Sequence, residues 1–285
     1  MNDTTVLIYG GSGTGKSSLI AALAEHFLAD GLTVKAAIAE ESAPLKRVKS
    51  EKFSMWNLGL REHPFDAVRF ASQGFWPQIL EDPKSKLVHT SADVWLFEGL
   101  STMGDLCLGA TVSGGLAARY AEERGTGLEE KNVRFTDGQM KIGGNPQSHY
   151  GTVQRWMLDS MAVSRKLPGI KVWTAHELRV NDEKTMQPIV GPQIVGEAKT
   201  KTDDIPRLFA NVFHCGIKLE KKEVKGYGVV PIPVHRLYLS THADELLKTM
   251  MYKAKSELPD GGPPYLVGSP MEIVKKLTDY LWSEK

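Results

Sequence analysis

Short apolar runs alternate with stretches of helical spacing in the first part of the chain. TTVLIYG, the segment 33–39, ADVWLFEG and GIKVWTAHE are β-prone runs bounded by turn residues, a pattern typical of strands in a covered sheet. Between the first two runs, the apolar residues of KSSLIAALAEHFLADG recur at helical spacing. This stretch predicts a helix that ends near Gly31.

The later chain adds further elements. TVQRWMLDSMAVSRKL predicts an amphipathic helix, IPRLFANVFHCGIKLEKK and VVPIPVHRLYLSTH predict strands, and MEIVKKLTDYLWSEK predicts a closing helix. Prolines interrupt the second late strand, which favours a position at a sheet edge. We expect helical or irregular structure between residues 40 and 88. Residues 107–151 have no strand pattern, and residues 178–201 resemble a loop. The alternation predicts an α/β fold with a mostly parallel, doubly wound sheet and helices on both faces.

A glycine-rich segment between the first strand and the first helix matches the phosphate-loop pattern G-x-x-x-x-G-K-[ST] at every fixed position. Its predicted nucleotide-binding residues are Gly10, Gly11, Ser12, Gly13, Thr14, Gly15, Lys16, Ser17 and Ser18. In such a loop, backbone N–H groups and the helix N-terminus surround a phosphate. Lys16 would reach the β- and γ-phosphates, and the Ser17 hydroxyl would bind Mg²⁺. The motif therefore predicts a site for a nucleoside triphosphate, ATP or GTP, with Mg²⁺.

Composition narrows the class of protein. The 285 residues are 41% hydrophobic and carry a net charge of +1, so any nucleic-acid site must be a local patch. Cys107 and Cys215 match no metal-ligand spacing, which favours a reducing compartment. The N-terminal stretch lacks the features of a signal peptide, and no apolar run approaches 18 residues. We expect a cytoplasmic protein that does not span a membrane.

Three further polar residues follow predicted strands, where ligands of parallel sheets bind. Glu98 ends an apolar run, as a Walker B metal acid does, or else it caps the helix that follows. Glu40 or its neighbour Glu41 can polarise an attacking water. His176 can contact the γ-phosphate or be an ordinary buried polar residue.

These residues, in this order, resemble the RecA-like ATPases, and most of all the phage-type members associated with recombination and single-strand annealing. The matching segments are AIAEES, VWLFEGLS, VWTAHE and GPQIVGEAKTKTDDIPRLFANVFHC. The resemblance implies that Glu40 is the water-activating glutamate, that Glu98 replaces the usual metal-binding aspartate, and that His176 is the γ-phosphate sensor. It covers roughly residues 4–258. We therefore expect a core at 1–258 with an irregular insertion at 104–150, and an extension with the closing helix at 259–285.

The resemblance also concerns a C-terminal hairpin. YLSTHADELLKTMMYKAKSELPDG is similar to the hairpin from which such proteins extend a pair of cations into the neighbouring subunit. Lys253 and Lys255 occupy those positions, and on a strand they would point the same way. The alternatives are a solvated lysine pair or a helix. The resemblance implies a homo-oligomer, a ring or filament, in which catalysis requires a neighbour's charge.

Relatives of this kind bind single-stranded DNA through two loops, which correspond here to residues 104–150 and 177–197. Basic and aromatic residues in these stretches suit a groove that follows a DNA strand; they are Arg119, Arg124, Lys131, Arg134, Lys141, His149, Tyr150, Arg179 and Lys184. Four glutamates interrupt the first set: Glu122, Glu123, Glu129 and Glu130. A solvated subdomain or an oligomer contact is the alternative.

The sequence thus predicts an ATP-hydrolysing, Mg²⁺-dependent protein that binds single-stranded DNA, with a single-strand-binding protein as a further candidate partner. An ATP-driven motor or loader for packaging or replication would share the same core. A small-molecule kinase, another alternative, would need a compact arginine-rich lid that we do not find. A regulatory NTPase is also consistent with the phosphate loop.

Overall fold

The structure is a computed structural model of the chain. It describes residues 4–40, 42–57, 92–105, 154, 157–158, 161, 165, 167–181, 188–193, 206–224, 227–243, 251–252, 254 and 263–282, and the backbone of 133–136 and 139–142.

Thirteen strands lie in the described residues. They are β1 Thr5–Gly10, β2 Val34–Ile38, β3 Phe53–Asn57, β4 Val94–Glu98, β5 Val133–Thr136, β6 Gln139–Ile142, β7 Ile170–Asn181, β8 Pro188–Pro192, β9 Asn211–Val224, β10 Gly228–Tyr238, β11 His242–Ala243, β12 Met251–Tyr252 and β13 Tyr265–Val267. The helices with defined bounds are α1 Lys16–Ala29, α2 Ala43–Arg47 and α3 Pro270–Leu281. A 3₁₀ turn spans Pro206–Leu208, and residues 100–105 are also helical.

One mixed sheet organises these elements. Its order is β3-β2-β4-β7-β1-β9-β10-β13, and the first six strands of that order run parallel. β10 and β13 are antiparallel additions at one side. β8 pairs with the far part of β7 and leads to β12 and β11. The predicted α/β class with a mostly parallel sheet is confirmed, and the phosphate loop follows the central strand β1.

Burial on both faces of the sheet explains why its strands are apolar runs. Val6 and Ile8 pack in a cluster with α1, α3, β2 and β4, and both are fully buried. Leu7 and Tyr9 alternate to the opposite face and are also fully buried. On that second face the rings of Phe97 and Trp173 stack with centroids 4.1 Å apart. Burial of a large side chain contributes roughly 1.5–3 kcal/mol, so the β1 sequence specifies a central strand.

The ends of α1 and α3 follow their sequence signals. Gly31 has φ 81°, and Leu32 N–H donates to Phe27 O across the last turn of α1, which is the Schellman arrangement. At α3, Ser269 and Glu272 form a reciprocal capping box. Among the described helices, none has the length and apolar character needed to cross a bilayer.

Several sequence predictions were wrong in detail. β3 lies within the segment 40–88 expected to be helical or irregular, and it extends the sheet beside β2. β5 and β6 pair within the insertion 104–150, where no strand was expected. VRFT and QMKI do alternate apolar and polar residues, but each is only four residues long and lies within glycine-rich, polar sequence, so the alternation was too short to predict a strand.

In the described part of the predicted loop 177–197, residues 177–181 and 188–192 are strands. β7 continues past His176 to Asn181 and pairs with β8 in antiparallel register. In the second half of β7 exposed polar residues alternate with half-buried ones, and β8 is only five residues long with a proline at each end. Neither segment has the apolar run that predicted the first half of β7. The prolines of β10, Pro231 and Pro233, pair with β9, and the described pairing of β10 with β13 begins only at Arg236. In the described residues the proline-containing part of β10 therefore has one neighbouring strand, as expected for a sheet edge.

Candidate nucleotide site

The phosphate loop connects β1 to α1 at the carboxyl edge of the parallel strands. Gly13 and Gly15 have φ of 77° and 97°, in the left-handed region, where a side chain costs about 1–2 kcal/mol. Gly15 is the N-cap residue of α1 and offers no capping side chain. The N–H groups of the first helical turn therefore remain available to an anion.

Lys16 is buried and its ammonium group is held by the loop itself. Its Nζ donates to the carbonyl oxygens of Gly10 and Gly11, both at 2.8 Å. Burial lowers the pKa of Lys16, while the nearby carboxylates of Glu40, Glu177 and Glu98 act in the opposite direction. The cation thus lies among acids at the mouth of the loop.

β9, which is next to β1, and β10, which is next to β9, support the loop from one side. The Cys215 thiol of β9 and the His235 ring of β10 both contact Thr14 O, at 3.2 and 2.9 Å. Burial raises the pKa of Cys215 to about 11, so this thiol is a neutral donor. A Cβ atom at Gly10 would lie 2.2 Å from Cys215 O. The first glycine of the motif is therefore required by close packing against β9.

Glu98 ends β4 directly beside the loop and is only 1% exposed. Burial raises the pKa of its carboxyl group, and the nearby Ser17 and Ser42 hydroxyls partly oppose that rise. Despite this proximity, Oε2 of Glu98 and Oγ of Ser42 have no partner at hydrogen-bond geometry within the described part of the chain. Buried oxygens without a partner are costly. A cation bound here would contact the free carboxylate oxygen of Glu98.

Glu40 follows β2 and has the opposite electrostatic environment. Its Oε1 lies 3.0 Å from Nε2 of His176 and accepts a hydrogen bond of 2.7 Å from the Thr102 hydroxyl. The His176 hydrogen bond is the main cause that lowers the pKa of Glu40. Its side chain is 28% exposed, so this ionised carboxylate is accessible to solvent.

Backbone register brings these groups to one edge. Gly10 is opposite His176 between β1 and β7, and Ile38 is opposite Glu98 between β2 and β4. Gly99, at φ 88°, places its Cα close to Glu40. The predicted set of Lys16, Glu40, Glu98 and His176 therefore lies around the same strand ends, although the structure does not test the role of each residue.

Ser101 connects the ends of three segments. Its hydroxyl accepts from His176 N–H at 2.8 Å and donates to Gln193 O at 2.7 Å. Gln193 N–H in turn donates to His176 O at 2.8 Å. The segment after β4 is thereby tied to the point where β7 leaves the parallel sheet and joins β8.

Other predicted residues lie outside the described part of the chain. These are Glu41, Lys253, Lys255 and all the basic residues of the first DNA loop except the backbone of Arg134 and Lys141. β12 ends at Tyr252, immediately before Lys253. Arg179 lies on the exposed part of β7, whereas Lys184 is not described. The roles given to these residues stay predictions.

The sequence analysis missed several contributors to the site. Ser42 lies two residues after Glu40, Thr102 lies four residues after Glu98, and Glu177 is the immediate neighbour of His176. Their proximity to strand-end acids was the only available signal. His214, Cys215 and His235 belong to strands far along the chain, and only the three-dimensional pairing of β9 with β1 shows their relation to the loop.

No family model matches the chain, and no curated protein does. Two solved structures are similar to it at low identity and low TM-score. The flagellar accessory protein FlaH from Methanocaldococcus jannaschii is 12% identical, with a TM-score of 0.44 over 95% of this chain and 88% of that one. The KaiC-like protein PH0186 from Pyrococcus horikoshii is 11% identical, with a TM-score of 0.41 over 93% and 89%. At these identities the likeness says nothing about function.

Proposed function

We propose that this chain is an ATPase with a RecA-like core that binds single-stranded DNA in recombination or annealing of the phage type, with ATP sites completed between subunits. One observation carries the proposal. A cation, a buried acid and an accessible ionised acid meet at a phosphate loop, as γ-phosphate hydrolysis requires. In this account the loop N–H groups and Lys16 hold the phosphates.

The two glutamates have different tasks because their environments differ. Glu40 is kept ionised by His176 and reaches solvent, so it can accept a hydrogen bond from an attacking water and orient it. His176 links Glu40 to the end of β7 and, through its backbone, to Ser101 and β8. It is therefore placed to transmit a change at the γ-phosphate into the β7–β8 hairpin.

The oxygens near Glu98 fit Mg²⁺. The ion prefers oxygen ligands and is commonly bound by one or two carboxylates together with phosphate oxygens. Glu98 and Ser42 supply buried oxygens without partners, and Ser17 lies beside them. No group of three or more His, Cys, Asp or Glu side chains suited to a metal occurs in the described ranges, so phosphate oxygens would complete the site. When bound, Mg²⁺ neutralises charge on the β- and γ-phosphates.

We propose that Lys253 and Lys255 of one subunit complete the ATP site of a neighbouring subunit. They follow β12, which continues the sheet from β8 beyond the edge of the parallel strands. A cation supplied from another subunit stabilises the charge that develops on a transferring phosphoryl group. In this proposal DNA binds the segment of β7 and β8 and the insertion that contains β5 and β6; the pairing of these strands is given by the structure. ATP-dependent movement at His176 would then alter DNA binding.

Single-stranded DNA should raise the rate of ATP hydrolysis several-fold at low salt. The stimulation should weaken as salt rises, because phosphate contacts lose roughly tenfold or more in affinity between 50 and 200 mM salt. Phosphate release is measured with single-stranded DNA, with a duplex of the same sequence and without DNA. Stimulation by duplex alone would favour the motor or loader, and no stimulation at low salt would contradict DNA-coupled hydrolysis.

Replacing Lys253 and Lys255 together with alanine should lower turnover by about 10³-fold, because a cationic finger contributes that much or more. Binding of MgATP should persist. Mixed with Lys16→Ala subunits, which retain the lysine pair, the double variant should recover part of its turnover. Full turnover by monomers of the double variant would contradict completion in trans.

Glu98→Gln should raise the free energy of unfolding when no MgATP is present, and it should leave the variant less stable than the wild type when MgATP is bound. Because the pKa of Glu98 is raised in the folded state, its contribution to stability is present below the ordinary pKa of 4.5 and is lost as pH rises through the folded pKa. At pH 7 without divalent cations, Glu98→Gln should therefore raise the free energy of unfolding by on the order of 1 kcal/mol. The difference should vanish below pH 4.5.

Denaturant titration across this pH range measures the effect, with Glu223→Gln on exposed β9 as the control. With MgATP present, the wild type should become the more stable protein, because ligand binding adds to stability. A variant that MgATP stabilises as much as the wild type would show that Glu98 does not hold the metal.

A further inference from the structure

Glu177 and His214 form a pair across the end of β1. In the sheet, Tyr9 of β1 is opposite Ala175 of β7 on one side and His214 of β9 on the other. Glu177 lies two residues after Ala175 and so projects from the same face. Its Oε2 lies 3.4 Å from Nε2 of His214. The pair thus links both neighbours of β1 where the phosphate loop begins.

Glu177 reaches the loop at Gly11. A Cβ atom at Gly11 would lie 3.3 Å from Oε1 of Glu177, and the nearby Gly11 N–H is one cause that lowers the pKa of this carboxyl group. The Gly11 carbonyl oxygen accepts hydrogen bonds from Lys16 Nζ at 2.8 Å and from the Thr14 hydroxyl at 2.9 Å. Gly11 therefore lies against the Glu177 carboxylate, and its carbonyl is bound by two side chains of the loop. Only the contact with Lys16 must be given up when that lysine turns towards a phosphate.

Aromatic rings fix the orientation of His214. Its side chain is 5% exposed, and its ring stacks on Tyr252 with centroids 4.2 Å apart and an interplanar angle of 20°. The rings of Tyr9 and Tyr238 lie near the same ring, with centroid distances to His214 of 5.1 and 5.8 Å. A ring enclosed in this way has little freedom to reorient, so its Nε2 remains directed at Glu177. The same ring also connects the loop to β12.

The charge of Glu177 shows which task it can perform. The hydrogen bond with His214 lowers the pKa of Glu177, and Lys16 contributes to the same effect. An ionised carboxylate repels phosphate, so Glu177 does not suit direct contact with the nucleotide. It suits an acceptor that orients the backbone of the loop, with its charge compensated by its neighbours.

We propose that Glu177 and His214 are positioning residues, which hold Gly11 so that the phosphate loop is ordered before nucleotide arrives. This inference rests on the proposed nucleotide-binding function. A loop that must be ordered during binding spends part of the interaction free energy on that ordering. Losing either residue should therefore weaken MgATP binding, although neither residue touches the ligand.

Calorimetric titration of MgATP into the full chain tests the inference. Glu177→Ala should raise the Kd about tenfold, because hydrogen bonds to charged groups are among the strongest. Glu177→Gln keeps an acceptor for Gly11 and should stay within about threefold of the wild type. His214→Ala should resemble Glu177→Ala, and the double variant should be little worse than either, because the two residues act as one unit.

The matched control is Glu220→Ala. Glu220 is a β9 carboxylate paired with the buried Arg236 at 2.6 Å, so its loss tests for a general loss of stability, which melting temperatures report for every variant. An unchanged Kd for MgATP in Glu177→Ala would overturn the inference. An equal rise of the Kd in Glu220→Ala would also overturn it, and so would additive effects of the Glu177 and His214 substitutions on the Kd. Failure of the wild type to bind MgATP would overturn the proposed function itself, and this inference with it.

Discussion

The register of β1 between β7 and β9 is the constraint on which the site depends. It sets Gly10 opposite His176 and places His214 beside Tyr9. The phosphate loop therefore begins at the level where β7 carries its polar residues. A slip of one residue would turn every side chain of β1 to the wrong face, and full burial of Val6, Leu7, Ile8 and Tyr9 opposes such a slip.

Glu98 and Glu40, the two acids beside the phosphate loop, have pKa values that their surroundings shift in opposite directions. Burial raises the pKa of Glu98, whereas His176 and Thr102 lower the pKa of Glu40. Groups whose pKa values shift in opposite directions within one site commonly divide acid, base and metal-binding roles. Buried Glu98 is suited to bind a cation through its free oxygen, and accessible Glu40 is suited to accept a hydrogen bond from a water molecule. The proposed mechanism follows from this difference.

Much of the core was predictable from sequence because its signals are local. The phosphate loop, α1 and the apolar parts of β2, β4 and β7 lie where the pattern placed them. The strand-end rule also predicts that Glu40, Glu98 and His176 lie at the same edge of the sheet. The function given to each of these residues, and the domain limits, stay predictions.

The rest was not predictable because it depends on pairing between distant segments. The second half of β7 alternates exposed and half-buried residues, and β8 is short and bounded by prolines, so the sequence resembled a loop. β3 is also a short strand, which lies beside β2. Glu177 and His214 are 37 positions apart, and the sequence contains no motif that joins them. Their relation to Gly11 exists only because β7 and β9 flank β1.

The comparison of Glu40→Gln with the wild type tests the central claim most directly. MgATP affinity and phosphate release are measured on the same preparations, with Glu223→Gln as the control. The account predicts that Glu40→Gln binds MgATP within about threefold of the wild type but hydrolyses it at least roughly 100-fold more slowly, the contribution expected of a positioned base. Hydrolysis by Glu40→Gln at the wild-type rate would contradict the account.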